Sequence, residues 1–333
     1  MRIAEAKREP IVPLWPWGFL AVSIASLAAV LTAPLAAYVF MIALFGLPHV
    51  LCELRYCDER FSARAPRRAL SAVGALLFLV ATARIAQAAH LLPTKIAVPI
   101  ELALGVGLAA AGVSFMQERR LLGLVAGLSL ALGTALAPIT TFLAFAWLHN
   151  LTPLAFVAEI LPRGERGRAL LLLSIPFFVL PALVATGALQ GALHVGLGYS
   201  ADAAPSAFGA GRYPLTAFLL PKLSFSGALP LFSAAVTAQA MHYLAVIAVM
   251  PRLLARYGRN SEARSLAPWP SWPRFYFAVA ALALFVFALH AVDYANARAI
   301  YGVAAALHSW VELPIFLIAL GAGFTAARRE ARP

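Results

Sequence analysis

Apolar residues in this chain arrive in runs near 20 residues long. That is the length of a helix that crosses a bilayer core, and it differs from the one-sided stripe of a soluble helix or the alternation of a strand. Such runs occupy 17–32, 35–56, 69–92, 96–115, 121–137, 140–160, 169–189, 229–250, 275–296 and 299–326. Charges punctuate them in a regular phase. Arg2, Lys7 and Arg8 precede the first run, and Arg55, Arg60, Arg64, Arg67 and Arg68 follow the second. Arg119 and Arg120 follow the fourth, Arg163, Arg166 and Arg168 the sixth, Arg252, Arg256, Arg259 and Arg264 the eighth, and Arg328, Arg329 and Arg332 the tenth. Odd-numbered exits carry little: Lys95 in one, and Asp202, Arg212 and Lys222 in the longest. Basic loops are retained in the cytoplasm, and a missed or invented helix would break the alternation. The pattern therefore predicts an all-α integral membrane protein. It forms a single polytopic bundle of about ten transmembrane helices over 1–333, in the cell's inner (cytoplasmic) membrane, with both termini cytoplasmic.

Composition narrows the class further. Hydrophobic types make up 62% of the 333 residues and charged types 12%, against about a quarter charged in a soluble domain. A β-barrel would show short alternating segments, which are scarce here. The net charge of +12 reflects arginine-rich loops facing anionic lipid, so no nucleic-acid partner is expected. Two cysteines, Cys52 and Cys57, are too few for a disulfide framework and are expected as free thiols. No small-residue cleavage signature follows the first run, which is read as a retained span. The longest connection, 190–228, combines Gly191, Gly196, Gly198, Pro205, Gly209, Gly211 and Pro214 with apolar Phe208, Phe218, Leu219 and Leu220. It reads as an external re-entrant or lid-like segment, or as a loop lying on the membrane surface. The chain has no internal repeat, no phosphate-binding glycine loop and no dinucleotide fingerprint. The Arg55-to-Arg60 run reads as a solvated helix end. Trp15, Trp17, Trp269 and Trp272 read as an interfacial belt, and Glu101 and Glu159 as acids reaching water near span ends.

Ionisable groups inside a bilayer are costly, so each one within a span is a candidate for function. His49 and Glu53 lie in the second run, His149 and then Asn150 in the sixth, His242 in the eighth, His290 and Asp293 in the ninth, and His308 and Glu312 in the tenth. His49 to Glu53 and His308 to Glu312 are spaced i to i+4, and His290 to Asp293 i to i+3, which puts each pair on one helix face. Chance predicts roughly 0.6 such pairs. Counting from the cytoplasmic ends at about 1.5 Å per residue places His49 roughly 10 Å deep, His242 roughly 13 Å, His149 roughly 18 Å and Glu312 roughly 20 Å. His49, His149, His242 and His308 are thus expected to converge, with Glu53 and Glu312, on one metal site. Asn150, His290 and Asp293 are expected to support those ligands or line a substrate pocket. His90 and His194 lie too near the outer face to join. An imidazole and carboxylate set suits iron, zinc or manganese. Paired histidines on facing helices also suit haem b, and the same groups suit the proton relay of a transporter.

The segment Gly46-Leu47-Pro48-His49, with Glu53 four residues on, resembles the opening signature of the Brp/Blh family. These are bacterial and archaeal membrane enzymes that cleave β-carotene to retinal with iron and dioxygen. His308 and Glu312 resemble that family's late His-x-x-x-acid element. The family's acid is normally aspartate and its residue after the histidine normally glycine, where this chain has Glu53 and Val50. The family's paired histidines on one central helix have no counterpart here. The resemblance implies a ferrous-iron oxygenase that takes a lipophilic small molecule from the bilayer. Clustered His-x-x-His-His boxes, as in ordinary membrane hydroxylases and desaturases, are absent.

Overall fold

The computed structural model describes residues 15–61, 66–116, 119–197, 225–257 and 265–321. The expectation for 190–228 falls mostly outside these residues: 188–197 are helical, helix resumes at Phe225, and 198–224 are not described. The arginines at 64, 259, 264, 328, 329 and 332 also lie outside them.

Every described element is helical. In chain order they are α1 (Trp15–Thr32), α2 (Pro34–Phe61), α3 (Arg67–Ala88), α4 (Thr94–Ser114), α5 (Arg120–Leu136), α6 (Pro138–Ile160), α7 (Arg163–Ala185), α8 (Ala188–Leu197), α9 (Ala228–Tyr257, its first turn reaching back to Phe225), α10 (Trp272–Val292) and α11 (Tyr294–Gly321). Eight of these are long and apolar enough to cross a membrane, and α1 and α5 are shorter apolar helices. The chain is an all-α polytopic bundle. Its exterior agrees: Leu121, Leu128, Leu132 and Leu136 of α5 and Phe277 and Leu284 of α10 lie open on the surface, a patch that water would not tolerate and lipid would.

The bundle has a clear interior. The hydrophobic window of α9 is 72% buried and that of α2 56%, against 17% for α3, so α2 and α9 are its axis. Small residues allow the closest approaches. A Cβ at Gly105 of α4 would enter the ring of Trp310 on α11, and one at Gly46 of α2 would strike Tyr301 of α11.

Regular helix is interrupted where prolines fall. α2, α7 and α9 each contain a π turn, at Ile42–Gly46, Ile175–Val179 and Ala245–Val249. Pro48, Pro176 and Pro251 sit in or within two residues of these turns. Proline lacks an N–H and crowds the carbonyl four residues back, and the wider turn relieves the clash inside the membrane. In α6 the helix stops at His149 and resumes at Thr152. Pro153 would meet the His149 carbonyl, which instead accepts a hydrogen bond from Thr152 Oγ1 at 2.9 Å.

Two expectations need correction. The Arg55-to-Arg60 run is not a solvated end. Arg55, Tyr56 and Cys57 are buried, and Arg55 stacks 3.8 Å over the Trp272 ring. Asp58 accepts from the Leu266 and Ala267 amides and from Trp269 Nε1 at 2.8–2.9 Å, so Trp269 and Trp272 are pinned to α2. Glu101 does not reach water: it is buried, ion-paired to Arg84 at 2.6 Å and bonded by Trp310 Nε1 at 2.7 Å. Glu159 takes Arg60 Nη2 at 2.6 Å and the Tyr56 hydroxyl at 3.1 Å. Glu159, 26% exposed, still reaches the surface as expected; Glu101 is paired internally because an unpaired carboxylate at its depth is too costly.

Candidate metal centre

Four helices bring one donor-rich cluster together in the bundle interior. His49 and Glu53 come from α2, His149 from the break in α6, His242 from the turn preceding the α9 π segment, and His308 from α11. One ligand atom from each of these five residues lies within 4.8 Å of all the others. His49, Glu53, His242 and His308 are almost completely buried. Their rings meet edge-on or tilted, with centroids 4.7–5.3 Å apart. The two cysteines are free and buried and contribute no donor to the group.

The hydrogen bonds behind the rings determine which nitrogen faces the cluster. His49 Nδ1 lies 3.2 Å from the Phe45 carbonyl and His308 Nδ1 3.4 Å from the Ala304 carbonyl. A carbonyl only accepts, so each Nδ1 is an N–H donor, and in a neutral imidazole each Nε2 is then a bare lone pair. Those two Nε2 atoms face each other at 3.2 Å. Two acceptors at that distance repel unless a cation lies between them. Two imidazoles bound to one divalent ion at about 2.0–2.1 Å place their nitrogens roughly 3 Å apart, which is the spacing seen. His149 repeats the pattern: its Nδ1 donates to Glu312 Oε2 at 2.8 Å, leaving Nε2 for the cluster. Orienting a ligand ring through its far nitrogen is the usual support for metal-binding histidines. His242 Nε2 reaches Glu53 Oε2 at 3.1 Å, and His308 Nε2 is 3.9 Å from the same oxygen. Glu53 Oε1, Glu312 Oε1 and His242 Nδ1 are buried with no hydrogen-bond partner, an expensive arrangement if nothing else occupies the site.

The donor set fits a metal ion: four imidazoles and one carboxylate, with Glu312 adding a second negative charge behind His149. Two carboxylates balance a divalent cation and leave the buried site without net charge.

The expected residues divide cleanly. His49, Glu53, His149, His242 and His308 supply converging donors. Glu312, expected as a ligand, is outside that group of five and holds His149 instead. Its own-face partner His308 faces the cluster, so one helical turn of separation has put the two residues in different rings of the site. Asn150 turns back on its own helix and donates to the Ala146 carbonyl at 3.2 Å. His290 is buried but bonds its own helix at Val286, and its ring neighbour is Tyr294. Asp293 is exposed and lies between α10 and α11, where its carboxylate accepts from the Asn296 amide at 3.1 Å and from the Asn296 side chain. Those donors hold its carboxyl below the usual range. Asp293 caps a helix, as its position before α11 requires.

Sequence reasoning passed over Tyr243, whose ring stacks on His49 at 3.9 Å. Its hydroxyl pairs with Tyr301 at 2.8 Å and accepts from Gln239 at 2.5 Å. Pro48, Pro153, Pro251 and Pro314 lie in the four ligand-bearing helices, but Pro99 in α4 and Pro176 and Pro181 in α7 show that proline alone does not mark a donor.

No family model, curated protein or solved structure matches the chain.

Proposed function

We propose that the protein is a membrane-embedded metalloenzyme. It is read as a non-haem, iron-dependent oxygenase acting on a lipophilic substrate such as a carotenoid or another isoprenoid or acyl chain, in the cytoplasmic membrane with both termini inside. The observation that carries the metal reading is the approach of His49 Nε2 and His308 Nε2 to 3.2 Å with both Nδ1 atoms committed to carbonyls. Iron, rather than zinc or manganese, rests on the resemblance of Gly46-to-Glu53 and His308-to-Glu312 to the carotene-cleaving family. Four imidazole rings packed in mutual contact leave no slot for a porphyrin plane, which disfavours haem.

Ferrous iron bound here supplies redox chemistry with dioxygen. The chain's own contribution is orientation and exclusion of water. Phe45, Ala304 and Glu312 hold three imidazoles with Nε2 inward, Glu53 supplies negative charge, and the π turns of α2 and α9 aim His49 and His242 at one point. A cavity of about 320 Å³ lies against α2 and α11. Leu54 and Val311, neighbours in sequence of Glu53 and Glu312, face it together with Phe61, Val73, Pro314 and Ile315. Its apolar walls suit part of a hydrocarbon chain, at the small end of the range for ligand pockets.

Elemental analysis and a visible spectrum of the purified protein test this reading. Stoichiometric iron without a Soret band, with oxygen uptake on adding a carotenoid or acyl substrate, is expected. A Soret band would establish the haem reading, and protein with no bound metal would point to a carrier using these groups as a relay.

A further inference from the structure

A second polar cluster lies at the end of the bundle where α10 turns into α11, and the metal centre does not use it. Arg298, in the second turn of α11, is half-buried. Its guanidinium donates one hydrogen bond, from Nη2 to the Tyr38 hydroxyl at 3.2 Å, and sits 5.8 Å from the centre of the Tyr301 ring. Arginine has five N–H donors and cannot shed its charge. The other four N–H groups have no protein acceptor among the described residues. No carboxylate there pairs with it either: Asp293, the nearest in sequence, is exposed and engaged by Asn296. Tyr38 also packs against Tyr294 and Tyr301.

This arrangement contrasts with Arg84, which sits in the same bundle with Glu101 against it. A membrane arginine with no counter-charge is costly, and one with four open donors in a fork geometry matches a planar or tetrahedral oxyanion. We propose that Arg298, with the Tyr38 hydroxyl, binds the oxyanion head, carboxylate or phosphate, of an amphiphile. Arg298 lies about 15 Å along α11 from His308. Contacts run without a break from its guanidinium to Tyr301, from the Tyr301 hydroxyl to Tyr243, and from the Tyr243 ring to His49. A head held at Arg298 sets how much of the attached chain extends toward the metal centre. That the amphiphile is the substrate rests on the metalloenzyme reading; the binding site does not.

The test uses the full chain in nanodiscs of zwitterionic lipid, with radiolabelled oleate as the probe, oleyl alcohol as the neutral control and inorganic phosphate as competitor. Wild type should bind oleate well above oleyl alcohol. Arg298→Gln should weaken oleate roughly tenfold or more, the loss of a charge-assisted pair, and leave oleyl alcohol unchanged. Arg298→Lys should fall between, because a point charge replaces the fork, and Tyr38→Phe should lose less. Oleate affinity that is equal in wild type and Arg298→Gln, or no better than that of oleyl alcohol, overturns the proposal. Displacement by phosphate at matching concentration would show a free-ion site and overturn the amphiphile. If Arg298→Gln does not fold, unchanged affinity in both Arg298→Lys and Tyr38→Phe overturns it equally. Metal content on the same samples separates the two readings. Oleate bound through Arg298 by a metal-free chain fails the enzyme and keeps this site. Metal with no oleate discrimination does the reverse.

Discussion

Two buried polar clusters in this bundle solve the problem of charge in a membrane differently. Arg84, Glu101 and Trp310 form a charge-paired set: the guanidinium lies 2.6 and 3.0 Å from the two carboxylate oxygens, and the indole N–H donates to one of them at 2.7 Å. It ties α3, α4 and α11 together through paired opposite charges. The histidine cluster is open. Its ring nitrogens point lone pair to lone pair, and Glu53 Oε1, Glu312 Oε1 and His242 Nδ1 lack partners. Burial and charge are common to both, so neither marks a site by itself. What separates them, among the described residues, is that the first pairs its carboxylate with a permanent cation, whereas the second sets two carboxylates among imidazoles with no arginine or lysine. The first cluster is charge-paired within the protein, and the second could hold a cation.

That contrast is open to direct tests. The largest effect is expected at the open cluster. His49→Ala or His308→Ala should reduce bound metal from stoichiometric to near zero in protein that still folds, measured by elemental analysis, because each removes one of the two facing lone pairs. Metal retained at wild-type occupancy in both would dissolve the distinction. At the charge-paired cluster, Glu101→Gln leaves a buried guanidinium without its counter-charge and should cost about 3–5 kcal/mol of stability. A lower unfolding midpoint in detergent, with unchanged metal per folded chain, is the expected pair of readings.

Smaller effects sharpen the picture. Glu312→Gln keeps a hydrogen-bond acceptor for His149 and loses the charge, so metal affinity should fall about 10–100-fold, less than for Glu53→Gln, whose carboxylate is in the donor group. Competition with a chelator of known affinity ranks the two, and the opposite order would exchange their roles. Asp293→Asn should leave metal content unaltered, since asparagine also caps a helix and Asp293 stands outside the cluster. Below the folded pKa of Asp293, which its Asn296 partners depress, protonation should remove the cap's contribution. That contribution is fully present above the ordinary aspartate value and lost only as the pH falls through the lowered one. Metal loss in Asp293→Asn would show a link between the α10–α11 turn and the centre.

The class of the fold, eight of the ten expected spans and the inventory of histidines within apolar runs were legible along the chain. Hydrocarbon imposes a length of about 20 apolar residues on any helix that crosses it, and an imidazole inside such a run stands out against alanine and leucine. The i to i+4 spacing correctly put His49 and Glu53 on one face. It did not distinguish Glu312, which meets His149, from the five converging donors, since sharing a face with His308 does not decide which neighbour a side chain touches. That depended on where α6 breaks at His149, on a tertiary encounter 163 residues away in sequence. Glu101 was misread as solvated for the same reason: nearness to a span end says nothing about an arginine or an indole brought up by another helix. Tyr243 and Arg298 carried no local signal, being one aromatic and one cation among many. Local pattern determines which residues enter the membrane, because the bilayer acts on each helix separately. Which of them meet, and which are left with unsatisfied donors and acceptors, is decided by helix packing, because a hydrogen bond or a metal ligand is a property of two or more helices at once.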